Sequence, residues 1–146
     1  MAEVKWFGAG AQHLVRARVD WVSDTIKLML VTSAYTPNQD THDYRDDVTG
    51  EISGTGYTAG GVSLTGKSRS YDSGTNEERL DADDIVFSSL DPSTAFRWGV
   101  GYKARGGAAS ADELIFYVDF GADRDPNGAE YRIVWHANGI LKLTAS

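Results

Sequence analysis

The stretch Phe96-Arg97-Trp98-Gly99-Val100-Gly101-Tyr102-Lys103, followed after a small polar segment by Leu114-Ile115-Phe116-Tyr117-Val118-Asp119-Phe120, decides the fold class. In its first half Phe96, Trp98, Val100 and Tyr102 alternate with Arg97, Gly99, Gly101 and Lys103, the period-two pattern of a strand. In its second half Leu114, Phe116, Val118 and Phe120 fall on one face. Residues Arg105 to Ala111 between them are small and polar, so the two halves read as a long hairpin.

The same period extends toward the N-terminus. Ile26, Leu28 and Leu30 alternate with Thr25, Lys27 and the less polar Met29 and Val31, and upstream Val15, Ala17 and Val19 alternate with Arg16, Arg18 and Asp20. A turn at Ser23 and Asp24 joins these runs into an expected N-terminal hairpin. From Thr36 to Val48 the alternation stops: Pro37 suits a first helical position, Asp40 a cap, and Thr41 to Asp47 one or two helical turns ended by Gly50. The glycine-rich run Gly54 to Gly61 superficially resembles a dinucleotide fingerprint. That fingerprint needs a following helix, whereas Val62, Leu64 and Lys67 to Tyr71 read as strand, which leaves a connection.

Near the C-terminus Asn138-Gly139 predicts a turn. A three-residue loop Ala137-Asn138-Gly139 would set Trp135 opposite Leu141 and Ile133 opposite Leu143, keeping the apolar residues of that hairpin on one face. The fold expected is all-β: a single-domain antiparallel β-sandwich of about eight strands with at most one short helix. Residues 13–146 form that domain. Residues 1–12 read as an N-terminal arm, in which Trp6 and Phe7 either anchor in a partner or supply a terminal strand to the chain's own core.

Composition narrows function. The chain has 146 residues with 14 basic and 21 acidic side chains, a formal charge of −7, which disfavours a nucleic-acid partner because such binding rests on Lys and Arg displacing counterions from phosphates. The absence of cysteine removes disulfides, thiolate nucleophiles and Cys-containing metal sites. No apolar run is long enough to span a bilayer, and Met1 to Gln12 carries a single lysine without a signal-peptide core. A soluble protein made without Sec export and with no membrane partner is therefore expected. Sixteen glycines beside four tryptophans, seven tyrosines and five phenylalanines suit turns and pleated surfaces.

Motifs for chemistry are sparse. His13, His42 and His136 lie in no metal-ligating pattern and read as surface imidazoles. Carboxylates cluster at Asp40, Asp43, Asp46 and Asp47, at Asp81, Asp83 and Asp84, and at Asp119, Asp123 and Asp125, as solvated turn residues do. Asp123-Arg124-Asp125-Pro126-Asn127-Gly128 has the spacing that opens calcium loops, so Asp123, Asp125 and Asn127 are candidate ligands for calcium, the one cofactor the sequence suggests. The match is half complete: the twelfth position is Val134 in place of a bidentate glutamate, Pro126 stiffens the loop, and the flanks read as strands. There is no Gly-x-Ser-x-Gly, no Ser-x-x-Lys and no cysteine nucleophile, so the reading is a binding protein, not an enzyme. Trp98 and Trp135 are expected in the core, while Trp6 and Trp21 are candidate exposed platforms for a carbohydrate-binding reading.

The strings Asp24 to Ser33, Tyr35-Thr36-Pro37, His42-Asp43-Tyr44 and Glu51 to Gly61 resemble a family of small virion structural proteins of tailed bacteriophages. The resemblance continues through Asp81 to Asp84, Val118 to Gly121 and Asn138 to Leu141, covering most of the chain after residue 12. It implies location in the virion after assembly in the host cytoplasm, in the head as a decoration protein or in the tail as a fibre, collar or tube accessory. The implied partner is the major capsid protein or another virion protein, with a homo-oligomer as the implied assembly. No catalytic residues carry over. Trp6 and Phe7 of the arm, with Tyr44 and Tyr57 in the loop from Pro37 to Gly61, are the contact residues expected, because both segments leave the strand pattern while carrying aromatic groups.

Overall fold

The computed structural model describes residues 2–145; Met1 and Ser146, the outermost residues of the expected arm and domain, lie outside them. In chain order the elements are β1 (Glu3–Trp6), α1 (Gly8–Val15), β2 (Ile26–Val31), β3 (Gly54–Thr55), β4 (Val62–Ser63), β5 (Ser68–Asp72), β6 (Glu77–Asp81), β7 (Ile85–Phe87), β8 (Asp91–Pro92), β9 (Phe96–Lys103), β10 (Leu114–Arg124), β11 (Tyr131–Ile133) and β12 (Leu141–Thr144). The chain is all-β and antiparallel, with α1 and two short 3-10 turns as its helical pieces among the described residues. A five-stranded sheet runs β1-β10-β9-β2-β4; β12-β6-β5 form a three-stranded sheet, and β11-β7 and β3-β8 are two-stranded ribbons.

The five-stranded sheet is buried on both faces. Leu28 and Leu30 of β2 join the larger core, with Leu80, Ile85, Phe87, Ile133 and Leu141 from the smaller sheets and Trp135 from the segment after β11. Met29 and Val31 enter a second cluster with Phe7, Tyr35, Val100, Tyr102, Leu114 and Tyr117. This two-sided cover is the reason that Ile26–Val31 reads as a nearly continuous apolar run instead of a clean alternation.

The predicted hairpin of β9 and β10 is present, with bulges that reassign two residues. Leu114 pairs with Tyr102, but Phe116 pairs with Gly101, so one extra residue of β10 lies between them. As a result Ile115 and Phe116 both reach the larger core, and Leu114 turns to the second cluster. A second shift between Asp119 and Arg124 likewise sends Phe96 to the larger core, opposite Trp98, Val100 and Tyr102.

Of the two readings of the N-terminal arm, the described residues show the terminal strand: Glu3–Trp6 pairs along β10, and Phe7 is completely buried, its N–H bonded to the Ile115 carbonyl at 3.1 Å. Three other expectations are corrected. The expected strand at Val15 to Val19 is the end of a helix and a turn. Val15 is 83% exposed, Ala17 adopts a left-handed φ of 57°, and the helix lies on β10, where a Cβ at Gly10 would meet the Ile115 carbonyl. The expected C-terminal hairpin does not form either. Gly139, at φ 101°, does turn the chain, but β11 pairs with β7 and β12 with β6, so the turn is a crossover between sheets. The helical turns expected between Thr41 and Asp47 shrink to the 3-10 turn Arg45–Asp47.

Candidate functional site

The segment from Tyr35 to Gly61 lies mostly outside the sheets, and buried polar contacts hold it in place. The Asp112 carboxylate, 2% exposed, accepts from Arg45 Nε at 2.7 Å through Oδ2 and from the Arg105 amide at 2.9 Å through Oδ1. Beside it Glu113, also 2% exposed, takes a bidentate pair from Arg105 at 2.7 and 2.8 Å. Burial raises the cost of the Glu113 charge, yet the Arg105 guanidinium outweighs it and holds the carboxyl below its usual range. The Arg45 guanidinium also sits over the Tyr102 ring, 5.2 Å from its centroid.

Backbone bonds complete the attachment: Arg45 N–H donates to Asp112 O at 2.9 Å and Leu114 N–H to Asp43 O at 3.0 Å. Across the hollow, Tyr57 Oη donates to Glu51 Oε2 at 2.6 Å and accepts from the Leu30 amide at 3.1 Å. The Gly60 amide also donates to Glu51 Oε2, at 2.8 Å, and Tyr102 Oη donates to Gly60 O. Burial first, then the Glu51 carboxylate, drive the Tyr57 phenol far above its ordinary pKa. Lys27, Arg45, Glu51, Tyr102 and Asp112 thus line a hollow of about 340 Å³. Glu51 and Asp112 each accept from two donors, and the arrangement fastens the loop to the sheet.

The expected contact residues separate. Phe7 is core and presents nothing to a partner. Tyr57 is a fastener between the glycine-rich loop and β2. Tyr44 is half-buried, accepts from Arg18 Nη1 at 2.9 Å and packs beside His13. Trp6 is half-buried, its indole N–H reaching the Lys142 carbonyl at 3.2 Å. Trp21, expected as an exposed platform, is 2% exposed and donates through Nε1 to Asp81 O, which removes it from any carbohydrate surface. Trp98 is half-buried with Arg97 over its ring, and Trp135 is core.

His13 is likewise not a surface imidazole. It is 5% exposed, its Nε2 donates to the Asp43 carbonyl at 3.1 Å, and its buried Nδ1 has no hydrogen-bond partner among the described residues. His42 Nδ1 accepts from Tyr35 Oη at 2.8 Å and from the Asn38 amide. Of the candidate calcium ligands, Asp123 lies in β10, while the Asp125 carboxylate caps the Asn127 amide at 3.0 Å in a turn where Asn127 has φ 52°. Among the described residues no three His, Cys, Asp or Glu side chains gather to hold a metal ion. Sequence reading missed Arg45, Glu51, Asp112 and Glu113. The one available signal was a pair of adjacent carboxylates, Asp112-Glu113, directly before the apolar run Leu114 to Val118.

A groove of about 660 Å³ separates β1 from β12, lined by Val4, Lys5 and Trp6 on one side and Leu141, Lys142 and Thr144 on the other. Fold and surface together describe an all-β protein with buried charged side chains fastening a loop and a recess between two sheet edges. Family models, curated proteins and solved structures contain no match to the chain. No helix among the described residues is long and apolar enough to cross a membrane.

Proposed function

We propose that the protein is a structural component of a tailed-bacteriophage virion, a decoration protein that binds the assembled capsid shell and stabilises it. What supports the reading is the resemblance of the strings named above to proteins of that class. The strings coincide with framework elements: Asp24 to Ser33 contains the doubly buried β2, Glu51 to Gly61 the tyrosine-fastened loop, and Val118 to Gly121 the centre of β10. Likeness in such segments argues for a shared scaffold more strongly than likeness in exposed turns would.

Binding, not bond-making, is the mechanism. A protein that attaches to the assembled lattice and not to free subunits stabilises the lattice by mass action, and many copies act together. The pinned segment from Tyr35 to Gly61 suits this role, because a surface already ordered loses little entropy on docking. The charge of −7 keeps unassembled copies apart and does not compete for packaged DNA. An antibody against the chain, applied to particles of the phage that encodes it, tests the reading. Label over the whole head is expected; label confined to the tail, or none on intact and opened particles, overturns it.

A further inference from the structure

We infer that the groove between β1 and β12 is a docking site for an extended, acidic peptide segment of another protein, which adds to the exposed sheet edge as an extra strand. The backbone provides the first argument. Phe7 N–H bonds to Ile115 O, so in the antiparallel register Lys5 and Glu3 also face β10, while Val4 and Trp6 turn their N–H and C=O groups toward the groove. On the opposite edge Ala145 N–H bonds to Asn76 O, which places Leu143 and Leu141 toward β6 and turns Lys142 and Thr144 outward. Side chains already occupy two of these outward carbonyls: Gln39 Nε2 donates to Trp6 O at 2.8 Å, and Trp6 Nε1 to Lys142 O at 3.2 Å. The Val4 amide and carbonyl and the Lys142 amide have no neighbouring strand to pair with.

Charge provides the second argument. In a chain with seven more acids than bases, the described residues lining this groove include Lys5 and Lys142 and no carboxylate. Each lysine pairs with one acid beyond the lining, Lys5 with Glu3 at 3.7 Å and Lys142 with Glu77 at 3.0 Å. Both lysines are substantially exposed; the Lys5–Glu3 pair, open on both sides, is weak enough to be exchanged for a ligand's carboxylate, and Lys142 keeps its solvent side free beside the largely buried Glu77. The edge offers both donors and acceptors, which match a peptide backbone; a phosphodiester brings acceptors alone. Strand addition supplies affinity through main-chain bonds, and alternate side chains supply selectivity. A partner strand carrying acids at alternate positions satisfies both. The groove has this chemistry wherever in the cell or the particle the protein resides, so the virion reading and this one fail separately.

The test uses the whole protein and a short blocked peptide alternating valine and glutamate, with its valine and lysine counterpart as control. Amide hydrogen exchange followed by NMR should show the Val4 and Lys142 amides slowed by about tenfold or more at saturation with the glutamate peptide. The double variant Lys5→Glu/Lys142→Glu, changed only at exposed side chains, should keep the native spectrum and bind that peptide about tenfold more weakly or worse, a loss of about 1.4 kcal/mol. Unchanged exchange at both amides under millimolar peptide overturns the inference. So does equal binding of the lysine peptide, or undiminished binding by a folded double variant.

Discussion

At the residue scale, two positions show magnitudes deciding a sign. Alanine is a better helix former than glycine by about 1 kcal/mol, so propensity alone favours Gly10→Ala in α1. However, a Cβ there meets the Ile115 backbone, which cannot swing aside as a flexible side chain can, and overpacking of this kind costs about 1 to 3 kcal/mol. Net destabilisation of about 1 kcal/mol, read from urea unfolding, is the expected outcome. Glu113 carries the second case. Removing its charge in Glu113→Gln strands Arg105 and should cost on the order of 2 kcal/mol, less than a fully enclosed pair because the guanidinium is 43% exposed.

The same carboxylate sets a pH dependence. Arg105 holds Glu113, and the Arg97 pair at 2.8 Å together with the Gly121 amide holds Asp119, below their ordinary values of 4.5 and 3.8. A depressed carboxyl contributes stability that is complete above its unfolded pKa and disappears as pH falls through the folded one. Asp43 is displaced upward, by burial first and then by the neighbouring Asp47 carboxyl, so its contribution has the opposite sign and grows on acidification. With more carboxyls lowered than raised, the melting temperature should stay level down to about pH 5 and fall below it, and Glu113→Gln should flatten part of that fall. Thermal melts from pH 3 to 7 by circular dichroism provide the check.

At the element scale, the N-terminal segment belongs to the fold. Deleting residues 1–12 removes β1, buried Phe7 and most of α1, so it should unfold the protein or leave it molten, and loss of particle binding by that variant would report folding alone. Phe7→Ala, the milder change, should cost about 3 to 5 kcal/mol in denaturant unfolding. Local pattern made some elements legible and left others hidden. The hairpin of β9 and β10 could be read because two long alternating runs stand close in sequence and pair with each other. The partners of β11 and β12 could not, because each pairs with a strand far back in the chain and the Asn138-Gly139 turn is the same whether its flanks pair or diverge. α1 was hidden for another reason: Gly8 and Gly10 weaken helix propensity, and only close approaches far along the chain explain them, Gly10 to Ile115 of β10 and Gly8 to the Gln39 carbonyl. The bulge at Ile115, which reassigns Leu114, leaves no mark in the hydrophobic pattern.

At the scale of the whole molecule, a five-stranded sheet covered on both faces leaves its outer strands as the natural places for another protein to join. The sequence could indicate that acids outnumber bases, but not that the acids at Asp112 and Glu113 would be buried to pin a loop, nor that lysines would gather where two sheet edges meet. These placements depend on long-range pairing, which a local pattern does not encode. Under the proposed decoration role they would divide the labour: the pinned side would supply a rigid surface, and the open edge the proposed site for a strand. A three-dimensional reconstruction of the particle tests this account most directly. It predicts many ordered copies of the domain on the outer surface of the shell, seated across neighbouring capsid subunits; purified particles that lack the chain, or that carry it only in the tail, would contradict it.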